Sequence, residues 1–300
     1  MNVIEAYLFP YMERMIGRLH EKGQYRTSET YSTTLNSFRR FRDGEDILLT
    51  DITSTLLESY ECYLRGHDLS PNTISFYMKH LRSVYNRAVE DGLIFDRRPF
   101  KRVFTSIEKT SKRAVSLKHI KQLKTMDLGR KKSRQFARDI FLFSFYTRGM
   151  SFVDIAYLQK RNLKDGTLEY RRKKTGQQLV VAWDACMQDI VDTYATDSSS
   201  PYLFPIIRDL QADSRKQYQR SLFRVNRHLK KLGKELGLHK PLTMYCARHS
   251  WATVAHDRGM PLSIISEGMG HESEKTTRIY LASIRSEAVD KANRKILRLL

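Results

Sequence analysis

Between Ser70 and Gly92 the apolar residues Ile74, Tyr77, Met78, Leu81, Tyr85 and Ala88 fall at intervals that place them on one face of an α-helix. Ser70 offers a capping hydroxyl, Pro71 stands at the first helical position where a missing N–H costs nothing, and Gly92 ends the pattern. The spacing predicts an amphipathic helix of about five turns. The same period runs through Tyr31, Leu35, Phe38 and Phe41 between Thr27 and Arg42, and through Leu56, Leu57, Tyr60 and Leu64 between Thr53 and Arg65. Each apolar stripe needs a partner to bury it, so the first 95 residues read as an all-helical bundle.

From Lys118 onward the pattern is mixed. The segment from Phe136 to Tyr146 is apolar on nearly every side, which predicts a buried core helix ended by Gly149. Ser151 opens the next helix, with Asp154 placed to complete a cap. Between residues 162 and 183 the period drops to that of a strand: Leu168, Tyr170 and Arg172 alternate, then Leu179, Val181 and Trp183. Turn signals at Asp165-Gly166 and Thr175-Gly176 separate these runs, so a small antiparallel sheet is expected. Helical spacing returns from Leu222 to Leu236 and persists to the C-terminus, where Val289, Ala292, Ile296 and Leu299 mark a short amphipathic tail. The 300 residues exceed the usual size of one domain. The expected fold is mainly α with a small antiparallel β-sheet: a helical domain over 1–96, a basic interdomain linker over 97–113, and a mixed α/β domain over 114–300 ending in a docking helix.

Charge narrows the range of partners. The formal net charge of +20 is far more than solubility requires, and a polyanion is its simplest complement. Fourteen Lys and Arg against Glu108 and Asp127 lie between Arg97 and Arg134. Such a run suits a solvated tether, and equally a strap following DNA phosphates, with Arg98, Lys101, Arg102, Lys112 and Arg113 as the candidate contacts. No stretch approaches the ~18 apolar residues of a membrane span, and the N-terminus lacks the basic start and cleavage site of a leader. A cytoplasmic protein is therefore expected. Cys62, Cys186 and Cys246 are odd in number and widely spaced, which argues against a disulfide framework. Cys246 and His249 form a C-x-x-H without a second pair, too few ligands for structural zinc, so no metal is expected.

The densest chemistry lies in the last quarter of the chain. LTMYCARHSWAT runs from Leu242 to Thr253 and EGMGHESEKTTRIY from Glu267 to Tyr280, which places Arg248, His271 and Tyr280 where separate helices can converge on one phosphate. These two boxes, in this order, resemble the C-terminal catalytic boxes of the tyrosine recombinases, or phage integrases. Upstream, LSPNTISFYM from Leu69 to Met78 is similar to the helix start of that family's SAM-like core-binding domain. The resemblance thus reaches most of the chain and implies a SAM-like core-binding domain followed by a mixed α/β catalytic domain.

It also implies roles. Tyr280 would attack a DNA phosphorus and form a covalent phosphotyrosine, so that bond energy is conserved and neither ATP nor a cofactor is needed. Arg248 would hold nonbridging phosphate oxygens with its fork of N–H donors, and His271 would join it. His249 reads as structural. Lys174, directly before Thr175-Gly176, matches the mobile lysine that protonates the leaving 5′ oxygen; Lys173 competes, since strand alternation would put the two on opposite faces. Two boxes depart from the family. Where its "TGLRxSEL" pattern wants an arginine this chain has Ser151, and Arg148 lies one helical turn earlier, within reach of the same phosphate. Where H-x-x-R wants a histidine stands Tyr245, whose ordinary pKa near 10 suits hydrogen bonding better than proton abstraction.

The activity so implied is cutting and rejoining of double-stranded DNA by a site-specific recombinase, two protomers on each crossover site and four in the synapse, in a bacterial cytoplasm on nucleoid DNA. A type IB topoisomerase-like relaxing enzyme shares the tyrosine chemistry, and a catalytically idle DNA-binding protein would tolerate the altered boxes. Because the helical pattern begins within the first thirty residues, no room is expected for an N-terminal arm-binding domain, which points to a simpler integrase, resolvase or invertase.

Overall fold

The computed structural model describes residues 6–108 and 114–281 together with Leu297, and for residues 279–281 the backbone alone. The chain divides into two compact units, Met1–Thr110 and Ser111–Leu300.

The first unit is a helical bundle of α1 (Leu8–Glu21), α2 (Tyr25–Phe41), α3 (Ser54–Gly66) and α4 (Pro71–Glu90). The α4 helix starts and stops where its sequence says. Ser70 Oγ accepts from Thr73 N at 3.3 Å, and at the other end Gly92, at φ +72°, lets Leu93 N reach Ala88 O at 3.0 Å. Its apolar stripe of Ile74, Met78, Leu81, Tyr85 and Ala88 is buried. On α2 and α3 the rings of Phe38 and Tyr60 meet edge-on at 5.0 Å, and the Tyr60 hydroxyl donates to Ser37 Oγ at 2.7 Å, so its polar end is satisfied inside the core.

This unit extends past the boundary expected at 96. Phe100 and Val103 are buried in the same core. Ser54 Oγ donates to Pro99 O at 3.1 Å, Phe104 N to Glu61 Oε2 at 2.9 Å, and Glu108 exchanges two hydrogen bonds with Asn72. Residues 97–108 are thus seated on the bundle rather than serving as a linker; a few apolar anchors set among many charges outweigh the polar composition, each buried large side chain contributing about 1.5–3 kcal/mol. Arg98, Lys101 and Arg102 stay exposed on this segment. Lys112 and Arg113 lie outside the described residues.

The second unit is built around α6 (Lys132–Tyr146), whose Ile140, Phe141 and Phe143 are fully buried. Around it pack α5 (Leu117–Thr125), α8 (Ala185–Thr193), α9 (Ser214–Glu235) and α10 (Met244–Asp257). The short α7 (Phe152–Ala156) is capped as expected: Ser151 Oγ accepts from Asp154 N at 3.4 Å and donates to Asp154 Oδ2 at 2.6 Å. Strands β1 (Leu163–Lys164), β2 (Thr167–Arg171) and β3 (Gln178–Ala182) form an antiparallel sheet in the order β1-β2-β3, with Leu168 opposite Val181 and Tyr170 opposite Leu179. Asp165 and Gly166 both take positive φ in the first turn, the conformation a tight hairpin demands. Helices α11 (Leu262–Met269) and α12 (Glu274–Leu281) follow α10 in the same unit.

One expectation changes here. β2 stops at Arg171, so Lys173 and Lys174 lie in the loop before β3, where strand alternation no longer assigns them faces. The C-terminal docking helix falls outside the described residues, apart from Leu297. Among the described residues no helix is long and apolar enough to cross a membrane.

Candidate active site

Arg248 stands on α10 with Ala247 and Ser250 buried on either side, and is itself buried. A buried guanidinium must find partners for its donors. Here Nη1 donates to Gly149 O at 3.0 Å, while Nη2 donates to Met269 O at 2.5 Å and to His271 Nε2 at 3.0 Å. Gly149 is a residue that only glycine can be: at φ +79° a Cβ there would stand 2.6 Å from the Arg248 Cα. The glycine that was expected to end α6 therefore also lets the chain pass against α10.

His271 follows Gly270, which ends α11 at φ +62°, and its backbone N–H closes the helix end on Ser266 O at 3.0 Å. A guanidinium only donates, so the bond from Arg248 requires a bare Nε2, and the ring proton sits on Nδ1, donated to Thr277 Oγ1 at 2.8 Å. Burial first, then the charges of Arg248, Arg172 and Lys174, push the His271 pKa down to about 4. His271 is thus a neutral ring at neutral pH. It is a weak base that orients Arg248.

Thr277 is fully buried on α12, and Tyr280 follows it on the same helix by about one turn. The backbone thereby ties Tyr280 to the residue that fixes His271. The Tyr280 side chain lies outside what is described.

The remaining candidates separate. Lys174 is exposed in the hairpin loop and its charge is felt at His271. Lys173 is engaged elsewhere, with its Nζ 4.4 Å from the centre of the Tyr157 ring and its N–H on Asp154 Oδ1 at 2.8 Å. Arg148 adopts φ +59°, a left-handed conformation unusual for a side-chain-bearing residue, and its Nη1 donates to Val180 O at 3.3 Å on β3. Its stem passes 3.5 Å from the position a Cβ on Gly268 would take. Buried Tyr170 on β2 feels Arg148, Arg172 and Arg248 together. Tyr245 is 46% exposed on α10, its ring edge-on to His249 at 4.5 Å. Cys246 is buried in the first turn of α10, where Thr243 N donates to its sulfur at 3.4 Å. Among the described residues no group of three or more His, Cys, Asp or Glu side chains is gathered to hold a metal ion.

Two participants were not singled out from sequence. Thr277 carries no signal beyond its place in the TT pair. Arg172 did carry one: it alternates in register with Leu168 and Tyr170, which both face the core, so a cation is aimed inward. Its Nη1 donates to Gly270 O.

Comparison with known proteins places these features. The phage integrase SAM-like domain matches residues 7–107 and the phage integrase family matches residues 117–287, more than half of the chain. Tyrosine recombinase XerA of Pyrococcus furiosus is 25% identical over 280 residues, covering 81% of this chain and 95% of the relative. Tyrosine recombinase XerC of Pediococcus pentosaceus is 25% identical over 297 residues, covering 90% and 91%. In fold, the chain is similar to a lambda integrase tetramer bound to a Holliday junction, with a TM-score of 0.71 at 15% identity, covering 92% of this chain and 77% of the other. It is also similar to XerH site-specific recombinase bound to a palindromic difH substrate, with a TM-score of 0.64 at 17% identity over 95% and 84%. The matched region holds the buried arginine, the neutral histidine and the tyrosine-bearing helix alike, and the chain belongs to the phage integrase family.

Proposed function

We propose that this protein is a site-specific DNA recombinase that cuts and rejoins duplex DNA through Tyr280. The observation that carries the reading is the buried Arg248 guanidinium, fixed by Gly149 O, Met269 O and neutral His271 beside the start of the helix that bears Tyr280. A cation held in this way needs no reorganisation when negative charge develops on a phosphate.

In the proposed reaction the Tyr280 hydroxyl gives up its proton to water as its oxygen bonds to phosphorus, and the bond from phosphorus to the 5′ oxygen breaks, leaving a 3′-phosphotyrosine. Lys174 donates a proton to the departing 5′ oxygen. Attack by the 5′ hydroxyl of another strand then reverses these steps, expelling the tyrosine and sealing the new junction, so the bond energy is kept and no cofactor is consumed. Arg148 supplies a second guanidinium in place of the arginine missing at Ser151. Tyr245, an exposed phenol, serves as a hydrogen-bonding group. The exposed Arg98, Lys101 and Arg102, with Lys112 and Arg113, contact DNA phosphates. Two protomers occupy each crossover site and four form the synapse, and the protein works on the nucleoid of a bacterial cytoplasm.

Tyr280→Phe tests the nucleophile. The variant is expected to bind DNA as tightly as the parent and to form no SDS-resistant protein–DNA adduct on a nicked suicide substrate. An adduct of parental yield would show that another residue attacks.

A further inference from the structure

Arg172 and Arg248 are the two buried arginines among the described residues. Arg172 follows the last residue of β2, and the loop closes around it, with its N–H on Gln177 O at 2.9 Å and its carbonyl accepting from Gly176 N at 2.8 Å. From there the side chain crosses to the end of α11. Its Nη1 donates to Gly270 O, and its Cδ lies 3.1 Å from the point a Cβ on Gly270 would occupy. Arg248 takes the adjoining carbonyl, that of Met269. Carbonyls at a helix C-terminus lack intrahelical partners and carry partial negative charge, which is where a cation is most useful.

We infer that Arg172 is a positioning residue: with Arg248 it clamps the consecutive carbonyls of Met269 and Gly270 and so holds the His271 ring in the orientation that accepts from Arg248. This rests on the proposed phosphate-binding role of Arg248. The cost of losing the arrangement is specific. If His271 gained a proton, an N–H on Nε2 would confront the N–H of Arg248 Nη2, the bond between them would be lost, and the guanidinium would be released from its place. Among the described residues, the cations felt at His271 include Arg248 from α10 and Arg172 and Lys174 from the hairpin loop, and Thr277 on α12 is a neutral partner of the ring. Arg172 therefore acts twice on the same ring, through the turn that carries it and through the charge that keeps it unprotonated.

The test compares Arg172→Gln, which removes the charge, with Arg172→Lys, which keeps it. The readouts are the titration and tautomer of His271 by 15N NMR of histidine-labelled protein, and the pH profile of single-turnover cleavage. Removing one of the nearby cations is expected to raise the His271 midpoint by about one pH unit in Arg172→Gln. The acid limb of cleavage, which reflects loss of the neutral ring as pH falls, should move up with it, with DNA affinity unchanged. Arg172→Lys is expected to keep both near their parental positions. An unmoved His271 midpoint in Arg172→Gln, or an equal shift in both variants, would overturn the inference. If Arg172→Gln does not fold, as judged by circular dichroism, Arg172→Lys decides alone: a retained low midpoint with the proton on Nδ1 supports the role, and their loss refutes it. The NMR measurement requires no cleavage, so it stands or fails separately from the identity of the nucleophile.

Discussion

Arg148 is held in a backbone conformation that glycine would adopt without strain. A left-handed φ at a non-glycine residue costs on the order of 1–3 kcal/mol, and such strain persists where the surroundings enforce it and function uses it. This supports its proposed role as the second phosphate cation, since an arginine used only for its bond to Val180 O would gain little from staying strained. Arg148→Gly is accordingly expected to leave thermal stability unchanged or raised by about 1 kcal/mol, while cleavage falls on the order of 10² to 10³, the scale of losing one preorganised oxyanion donor. Denaturant unfolding and single-turnover cleavage of a suicide substrate measure the two sides. Parental cleavage by this variant would remove Arg148 from the reaction.

At the scale of elements, the hairpin loop that carries Lys174 is pinned through one carboxylate. Asp154 takes the Ser151 hydroxyl on one oxygen and the Lys173 N–H on the other, at 2.6 and 2.8 Å, so the cap of α7 and the mouth of the hairpin share an anchor. Asp154→Ala would undo both bonds and leave a part-buried N–H without its partner, a loss of about 2–3 kcal/mol given that hydrogen bonds to charged groups contribute about 1.5–3 kcal/mol each and are not additive. The freed loop would also present Lys174 less often. Cleavage is therefore expected to slow on ordinary DNA and to recover on a substrate whose bridging 5′ oxygen is sulfur, because a thiolate leaves without protonation. An equal defect on both substrates would show that the loop does not serve the leaving group.

For the whole molecule the charge distribution is the controlling quantity. Arg98, Lys101 and Arg102 are exposed on a segment that the core of the first unit holds in place through Phe100 and Val103. Cations on a seated segment lose less entropy on meeting phosphates than cations on a loose tether. Replacing all three with Gln is expected to flatten the slope of log affinity against log salt by up to about 2.7, at ~0.9 per lost phosphate contact. Equilibrium binding to duplex DNA over a range of salt concentrations reads the change. An unaltered slope would take this segment off the DNA.

What the sequence determined by itself was whatever depends on near neighbours along the chain. The 3.6-residue stripe and its Ser70-Pro71 start placed α4, the two turn signals placed the sheet, Ser151 and Asp154 placed the cap of α7, and the ARH and GH boxes located Arg248 and His271. Each of these is a local competition among a few side chains and the backbone beside them, and it is decided within a turn or a hairpin. Tertiary structure decided what depends on residues far apart in the chain. Composition made residues 97–108 look like a tether, yet the bundle core holds Phe100 and Val103. Strand alternation offered Lys173 and Lys174 opposite faces, but β2 ends first, and the engagement of Lys173 with Tyr157 and Asp154 separates the two. The neutrality of His271 and the part played by Arg172 arise only when a hairpin, the end of α11 and α10 are brought together, because a pKa and a buried charge answer to distance in space, to burial and to the sum of nearby cations.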